Sequence, residues 1–335
     1  MERIKLFTHT DLDGIGCAVL AKLAFGDKNV DIDYCNYDDI DKKVCEFIKN
    51  ETLERAPRYD YIYITDISIN EETAKLINEW NLIVMLLDHH ATALWLNDYH
   101  WANVRVKDKG GVKTSGTKMF YRHLCNEGYF GDVDDDYAKN VHKFVEMVRD
   151  YDTWRWKEEL GEDGVVCKEL NDLFYIYGRD KFIEWCIDKI VRPLSPMLSF
   201  PSFDSADRTL LDNKQKEIDI YVESKNKQLI VIEDRFGHTC GVVFAERFAS
   251  ELGNRLSEKH PELDYIIMID LGNCRVSYRT AKDGIDLGAE IAHAFGGGGH
   301  PKAAGSMIDN EVILGIIAEL FGERSCSVNL DEVYV

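Results

Sequence analysis

Apolar and polar residues alternate with two different periods along the first 90 residues of the chain. Runs typical of strands and segments with apolar residues at helical spacing follow one another. The strands are predicted at residues 4–9, 30–37, 59–65 and 82–87, and the helices at 14–25, 41–55 and 71–80. Repeated strand–helix units favour a mainly parallel sheet with helices on both faces. We therefore predict an α/β domain at the start of the chain.

The middle of the chain has mainly helical periodicity. Ser115 or Thr114 can cap one helix, and a second helix carries an apolar stripe through residues 137–148. Three of the six prolines then fall between residues 193 and 201, which is typical of a domain boundary. A charged helix is predicted after them at about 205–227.

The C-terminal third returns to alternating elements. Strands are predicted at residues 229–233, 240–244, 265–270 and 275–280, with helices near 246–257, 286–294 and 311–321. The predicted organisation is a domain over residues 1–190, a linker and connecting helix over 191–228, and a smaller α/β domain over 229–335.

The charge balance limits the kinds of partner that the chain can bind. Forty Lys and Arg residues stand against 60 Asp and Glu residues, which gives a net charge of −20. A protein that binds long duplex nucleic acid through a broad basic face should carry the opposite balance. A local basic pocket, or a metal site that neutralises a small anionic substrate, is compatible with this charge.

Cysteine usage and hydropathy indicate the compartment. The nine cysteines form no Cys-x-x-Cys pair, which favours reduced, buried thiols over a disulfide framework. The longest uninterrupted apolar stretch, at residues 82–87, is far too short to span a bilayer. We expect a soluble cytoplasmic protein that makes no membrane contact.

Carboxylate and imidazole side chains concentrate where the predicted strands end. They are His9, Asp11 and Asp13 after the first strand, Asp66 after the third, and Asp88, His89 and His90 after the fourth. The carboxyl ends of parallel strands line the crevice in which ligands bind. Carboxylates so close together repel one another unless cations compensate, and mixed carboxylate and imidazole ligands suit Mn²⁺, Mg²⁺ or Fe²⁺. The pattern therefore predicts a metal site.

Each of these segments also has a plainer interpretation when taken alone. Asp13 can cap the following helix, Asp66 can form a strand-end turn, and residues 88–90 can be exposed polar residues. Their joint placement at three strand ends favours the metal site.

The same segments resemble a known superfamily. The matching residues are His9-Thr10-Asp11-Leu12-Asp13-Gly14, the aspartate of Ile64-Thr65-Asp66, and Asp88-His89-His90. They look like the first three motifs of the DHH phosphoesterase superfamily. The fourth motif resembles Asp152-Thr153, with Asp150 as a competing candidate two residues earlier.

The C-terminal part of the chain resembles the DHH-associated domain of that superfamily. Its glycine-rich signature is similar to residues 296–305, which read Gly-Gly-Gly-Gly-His-Pro-Lys-Ala-Ala-Gly, and its substrate-binding arginine segment is similar to Ser277-Tyr278-Arg279. The helical region 115–215 matches only loosely. The resemblance implies a parallel-sheet catalytic domain, a smaller α/β substrate-binding domain, and an active site in the cleft between them.

The resemblance also implies a role for each matching residue. Two divalent ions, Mn²⁺ in the first place and Mg²⁺, Co²⁺ or Fe²⁺ as alternatives, would be held by His9, Asp11 and Asp66 and by Asp13, Asp66, His89 and Asp152. The pair would activate a hydroxide that attacks phosphorus, and the 3′ oxygen would leave. His90 would contact the phosphoryl oxygens or assist the leaving group, and Asp88 would orient an imidazole. The implied substrate-binding residues are Ser115, Arg279, Gly297, Gly298, Gly299, His300 and Lys302.

Within the superfamily, the opening motif looks most like that of the bacterial nanoRNases of the B type. These phosphodiesterases convert very short RNA to 5′-mononucleotides. Phosphodiesterases of cyclic or linear dinucleotides and 3′-phosphoadenosine 5′-phosphate phosphatases share the same plan and are the alternatives. A RecJ-like exonuclease and a manganese pyrophosphatase fit less well. A non-catalytic nucleotide-binding scaffold is the hypothesis of a different class. The expected partner is short RNA or a dinucleotide, and a homodimer is compatible with the sequence.

Overall fold

The computed structural model describes residues 2–52, 58–79, 83–131, 136–192 and 200–322. The chain forms two compact units, Met1–Leu211 and Asp212–Val335, and the division falls inside a helix. The domain limits drawn from the sequence stay a prediction. Residues 80–82, on which a predicted helix end and strand start fall, and the proline-bearing residues 193–199 lie outside the described ranges.

The first unit contains a parallel sheet of five strands. Its strands are β1 (Ile4–His9), β2 (Val30–Cys35), β3 (Tyr61–Thr65), β4 (Val84–Asp88) and β5 (Ala102–Val104). Their order is β2-β1-β3-β4-β5, and every pair is parallel. The predicted mainly parallel sheet is confirmed. The pattern missed β5, because three residues are too few to show a period.

Helices cover both faces of this sheet. The α-helices described before residue 192 are α1 (Leu12–Phe25), α2 (Ile40–Thr52), α3 (Glu71–Glu79), α4 (Gly116–Asn126), α5 (Asp136–Asp152), α6 (Arg155–Glu158), α7 (Val165–Tyr177) and α8 (Arg179–Val191). Leu6 and Phe7 are neighbours in β1 and are both fully buried, yet they belong to two different apolar clusters. A strand with both faces buried gives such a pattern, because successive side chains point to opposite sides.

The second unit contains a mixed sheet of six strands. Its strands are β6 (Ile230–Glu233), β7 (Thr239–Phe244), β8 (Tyr265–Asp270), β9 (Arg275–Arg279), β10 (Gly298–His300) and β11 (Ala303–Met307), in the order β10-β11-β9-β8-β7-β6. Among these described strands, β7 and β8 pair in parallel and the other neighbours are antiparallel. The predicted smaller α/β unit is confirmed. The pattern missed β10 and β11, because glycine and alanine carry little strand propensity.

From residue 205 onwards, the described part of the chain contains three α-helices. They are α9 (Ser205–Asn226), which spans the division between the units, α10 (Ala249–Lys259) and α11 (Asn310–Phe321). The helix predicted near 286–294 is a π turn at Leu287–Ile291 followed by a 3₁₀ turn at Ala292–Phe295. Among the described residues, no helix has the length and apolar character needed to cross a membrane. The eight described cysteines are free thiols, and Cys326 lies outside the described ranges.

Candidate metal centre

Three neighbouring strands bring the predicted ligands to one edge of the parallel sheet. β1 ends at His9, β3 leads into Asp66, and β4 ends at Asp88. Because β1, β3 and β4 lie side by side, the segments that follow them meet. The sequence places these residues far apart in the chain, so the sheet order alone makes them neighbours.

The opening motif places its polar residues by a tight strand-to-helix turn. Asp11 caps α1 and accepts a hydrogen bond from the Gly14 amide at 3.0 Å. A Cβ on Gly14 would lie 2.2 Å from the His9 carbonyl oxygen. Only glycine therefore lets α1 begin so close to the end of β1. This turn holds His9 and Asp13 on either side of Asp11.

Asp66 lies at the centre of the site. It is 1% exposed and adopts a left-handed backbone conformation with φ of 59°. Its Oδ1 lies 3.1 Å from Nε2 of His89, and its Oδ2 lies 3.9 Å from Nδ1 of His9. Burial, and then the charges of Asp13 and Asp11, raise the pKa of Asp66 well above its ordinary value.

Three overlapping groups of potential metal ligands lie at or beside Asp66. The first contains His9, Asp11 and Asp66, and the second contains Asp13, His89 and Asp152. The third contains Asp66, Asp88, His89 and His90, and it overlaps the first through Asp66 and the second through His89. Within each group the ligand atoms all lie within 4.8 Å of one another. Nε2 of His89 is 3.6 Å from both Asp13 Oδ2 and Asp152 Oδ2. The first group has the members of the first ligand set implied by the motifs. The second group has the members of the other set except Asp66, whose Oδ1 lies 3.1 Å from His89. The metal-binding roles of these residues stay a prediction.

The donor set fits divalent cations. Asp66 Oδ2 is buried and accepts no hydrogen bond from any residue that the structure describes. Burial and the charge of Asp13 also raise the pKa of Asp152 well above its ordinary value. A bound cation stabilises buried carboxylates of this kind, because its positive charge offsets their mutual repulsion. Oxygen and imidazole donors without thiolate suit Mn²⁺, Mg²⁺ or Fe²⁺.

The structure separates the two candidates for the fourth motif. Asp152 ends α5 and faces His89. Asp150 instead accepts hydrogen bonds from Arg149 at 2.9 Å and from Arg155 at 3.0 Å. Its charge is already balanced by two guanidinium groups, so the geometry favours Asp152 as the candidate ligand.

Asp88 and His90 form a pair beside the ligand groups. Asp88 is fully buried, and its Oδ1 lies 2.7 Å from Nδ1 of His90 and accepts the His89 amide at 2.8 Å. Burial opposes a charge on His90, but the hydrogen bond to Asp88 and the charge of that carboxylate outweigh it and raise the pKa of His90. Asp88 therefore fixes the orientation of the His90 ring.

A contact between the opening motif and the start of α4 leaves no pattern in the sequence. Both oxygens of the Asp13 carboxylate accept backbone amides, from Gly116 at 2.6 Å and from Thr117 at 2.9 Å. The Thr117 hydroxyl also donates to the Asp13 carbonyl at 2.5 Å. On its other side Gly116 touches Asp66, and a Cβ there would lie 2.4 Å from the Cβ of Asp66. Residues 116–117 therefore position two predicted ligands at once.

Ser115 has a local task in the structure. Its buried hydroxyl caps α4 by accepting the Lys118 amide at 3.2 Å. Of the two caps considered for this helix, Ser115 is the one used. Its predicted contact with substrate stays a prediction.

The predicted substrate-binding residues of the second unit lie on neighbouring strands. His300 in β10 pairs with Ala303 in β11, and Ala303 pairs with Arg279 in β9. Directly opposed residues share one face of an antiparallel sheet, so Arg279 and His300 lie on the same face. The Arg279 guanidinium donates to the Tyr278 carbonyl at 2.8 Å and to the Ser250 hydroxyl at 3.1 Å.

The remaining members of that predicted set in the second unit flank His300 in the chain. Gly298 and Gly299 belong to β10 and are exposed, and Gly297 precedes them. The Lys302 ammonium lies 2.9 Å from Asp283 on the surface. The structure thus gathers the glycine segment, His300 and Arg279 into one region of the second unit.

Comparisons with known proteins agree with the motifs. No protein-family model matches the chain. The chain is 39% identical over 321 residues to the oligoribonuclease NrnB of Bacillus subtilis (strain 168), which covers 94% of this chain and 75% of that protein.

Two solved structures share the fold at low identity. The DHH domain of a member of a ribosomal-protein family superposes with a TM-score of 0.59 at 14% identity, over 97% of this chain and 88% of that one. An exonuclease RecJ bound to manganese gives a TM-score of 0.56 at 14% identity, over 97% and 91% of the two chains. With the identity to NrnB and the motif residues at one sheet edge, the chain belongs to the NrnB oligoribonuclease family of the DHH phosphoesterase superfamily.

Proposed function

We propose that this chain is a metal-dependent phosphodiesterase that hydrolyses very short oligoribonucleotides to 5′-mononucleotides. The family supports the coarser statement, a hydrolase of phosphoester bonds in nucleic acids, because the relative is an oligoribonuclease. The observation that carries the proposal is the position of Asp66. This buried carboxylate lies between two groups of ligands, within 3.1 Å of His89 and 3.9 Å of His9.

The two ligand groups are suited to hold two divalent ions, with Asp66 shared between them. Mn²⁺ is the first choice, because the RecJ structure of the same fold is bound to manganese. Two such ions, when bound, lower the pKa of the attacking water and stabilise both oxygens of an in-line displacement. The chain itself contributes the fixed positions of His9, Asp13 and His89, which the two ligand groups need in order to hold the ions.

His90 is the proposed contact for the phosphoryl group or for the leaving 3′ oxygen. Its Nδ1 is engaged by the buried Asp88 at 2.7 Å. Nε2 is therefore the ring nitrogen that can donate to a substrate oxygen. The raised pKa of His90 supports this role, because a protonated imidazole is the form that donates.

The second unit is proposed to bind the rest of the substrate. Arg279 and His300 share a sheet face, and a guanidinium can donate to two phosphate oxygens at once. With a net charge of −20, the chain can neutralise only a few phosphates at such a local site. A short oligonucleotide is therefore the substrate class that fits.

The proposal is tested by incubating the purified protein with Mn²⁺ and end-labelled RNAs of increasing length, from dinucleotides upwards. Cyclic di-AMP and 3′-phosphoadenosine 5′-phosphate are run in parallel, and Asp66→Asn protein controls for contaminating nucleases. Rapid conversion of the shortest RNAs to 5′-mononucleotides, abolished by EDTA and absent with the variant, is the expected result. Intact RNA beside a cleaved cyclic dinucleotide or a dephosphorylated 3′-phosphoadenosine 5′-phosphate would contradict the RNA assignment. If Mn²⁺ binds and nothing is cleaved, the chain is a binding scaffold and the proposal is wrong.

A further inference from the structure

Tyr37 lies beside the candidate metal centre although no motif contains it. It follows β2 in a turn closed by two contacts: the Asn36 amide donates to Asp39 Oδ1 at 2.8 Å, and the Asp39 amide donates to the Asn36 carbonyl at 3.1 Å. The Thr10 hydroxyl also donates to Asn36 Oδ1 at 2.9 Å. The turn that carries Tyr37 is thereby tied to the loop that carries His9 and Asp11.

The Tyr37 side chain points towards the predicted ligands. Its hydroxyl lies 3.2 Å from Nε2 of His90, and its ring centroid lies 5.4 Å from that of His9. Burial and the neighbouring carboxylates, Asp66 and Asp88 first among them, raise the pKa of Tyr37. The phenol therefore keeps its proton, and its neutral oxygen can accept the hydrogen bond that Nε2 of protonated His90 donates.

Both nitrogens of the His90 ring have a partner. Asp88 engages Nδ1 at 2.7 Å and Tyr37 engages Nε2 at 3.2 Å, which forms a chain Asp88–His90–Tyr37. Asp88 is fully buried, whereas 55% of Tyr37 is exposed. The imidazole is thus held by a rigid partner on its inner side and by a solvent-facing partner on its outer side.

We propose that Tyr37 is a positioning residue for His90 in the proposed phosphodiester hydrolysis. Its hydroxyl fixes the outward-facing Nε2 in the substrate-free protein, and a substrate oxygen then meets that nitrogen beside the phenol. The ring orientation is set before the substrate arrives, so less ordering is required at the reaction step. This inference rests on the proposed function for the part that concerns turnover.

The test is a double-mutant cycle in steady-state cleavage of a dinucleotide RNA. Tyr37→Phe removes the hydroxyl and keeps the ring, and it is measured in the wild-type background and in His90→Ala. We expect kcat to fall about 10-fold in the first background, as for one lost hydrogen bond, and less than about 2-fold in the second. KM should change little in both. Tyr175→Phe, which removes a similarly exposed phenol from α7, is the matched control and should turn over like the wild type.

A second readout does not depend on turnover. The His90 ring nitrogens of metal-free protein are observed by NMR and assigned with His90→Ala. Tyr37→Phe should shift the Nε2 resonance, while Mn²⁺ affinity and the thermal unfolding midpoint stay those of the wild type. An unchanged His90 spectrum, or an equal loss of kcat in both backgrounds, would overturn the proposal. A shifted spectrum in a protein that cleaves no phosphodiester would instead count against the proposed function.

Discussion

Gly116→Ala tests whether the start of α4 positions the ligands. The added Cβ would lie 2.4 Å from the Asp66 Cβ and 2.8 Å from its Cα. Ordinary contact begins at 3.4 Å, so the two segments must separate by about 1.0 Å (3.4 − 2.4). The same residue donates its amide to Asp13 Oδ2 at 2.6 Å, so the displacement moves Asp13 as well as Asp66.

The expected loss follows from the tolerance of metal sites. Ligand distances must hold to about 0.2 Å, and mutations that displace ligands weaken binding by about 10- to 100-fold. Misplacement of reacting groups by about 1 Å costs about 100-fold in rate. Gly116→Ala should therefore weaken Mn²⁺ binding at least 10-fold and lower kcat/KM about 100-fold. Overpacking should also cost about 1–3 kcal/mol of unfolding free energy.

The assay is calorimetric titration of metal-free protein with Mn²⁺, accompanied by thermal unfolding without metal. Gly131→Ala is the matched control, because its Cβ meets nothing within 4 Å and it should bind Mn²⁺ like the wild type. If Gly116→Ala does not fold, Thr117→Val replaces it. This variant loses the 2.5 Å hydrogen bond to the Asp13 carbonyl and should weaken Mn²⁺ binding about 5-fold. Wild-type Mn²⁺ affinity in a folded Gly116→Ala protein would refute the reasoning.

Three further changes separate the roles of individual residues. Asp66→Asn should abolish turnover and Mn²⁺ binding without lowering the thermal stability of the metal-free protein, because it removes a buried charge that its neighbours repel; retained Mn²⁺ binding would contradict the shared role of Asp66. Asp152→Asn should weaken Mn²⁺ binding at least 10-fold. Asp150→Asn should chiefly lower the unfolding free energy, by about 1–3 kcal/mol, because it weakens the contacts with Arg149 and Arg155. The reverse pattern would make Asp150 the ligand. His300→Ala should reduce cleavage of dinucleotide RNA far more than cleavage of a small chromogenic phosphodiester, and equal losses would place His300 in the chemical step or in folding.

The sequence revealed the strand-end residues because two simple rules place them. Alternating periods identified β1, β3 and β4, and parallel strands bring their carboxyl ends to one edge. The sequence alone therefore groups His9, Asp66 and Asp88. The metal interpretation also needed only the charges, because so many carboxylates at one edge require cations.

The contacts that refine the site could not be read from the sequence. Asp13 and Gly116 are 103 positions apart, and their contact depends on how α4 packs. Tyr37 continued the apparent strand pattern of β2, whereas the backbone turns after Cys35 and directs the side chain to His90. The choice between Asp150 and Asp152 likewise required knowing where Arg155 lies, since its guanidinium engages Asp150. Packing and long-range hydrogen bonds decide each of these details, and neither produces a periodic pattern of apolar and polar residues in the local sequence.

We expect the carboxylates and imidazoles around Asp66 to hold a pair of divalent cations. Titration of metal-free protein with Mn²⁺, followed by calorimetry, measures the number of ions bound per chain most directly. The expected result is two ions in the wild type and loss of tight binding in Asp66→Asn, because Asp66 belongs to one ligand group and contacts His89 of the other. A wild-type protein that binds no Mn²⁺, or an Asp66→Asn protein that still binds two ions tightly, would contradict it.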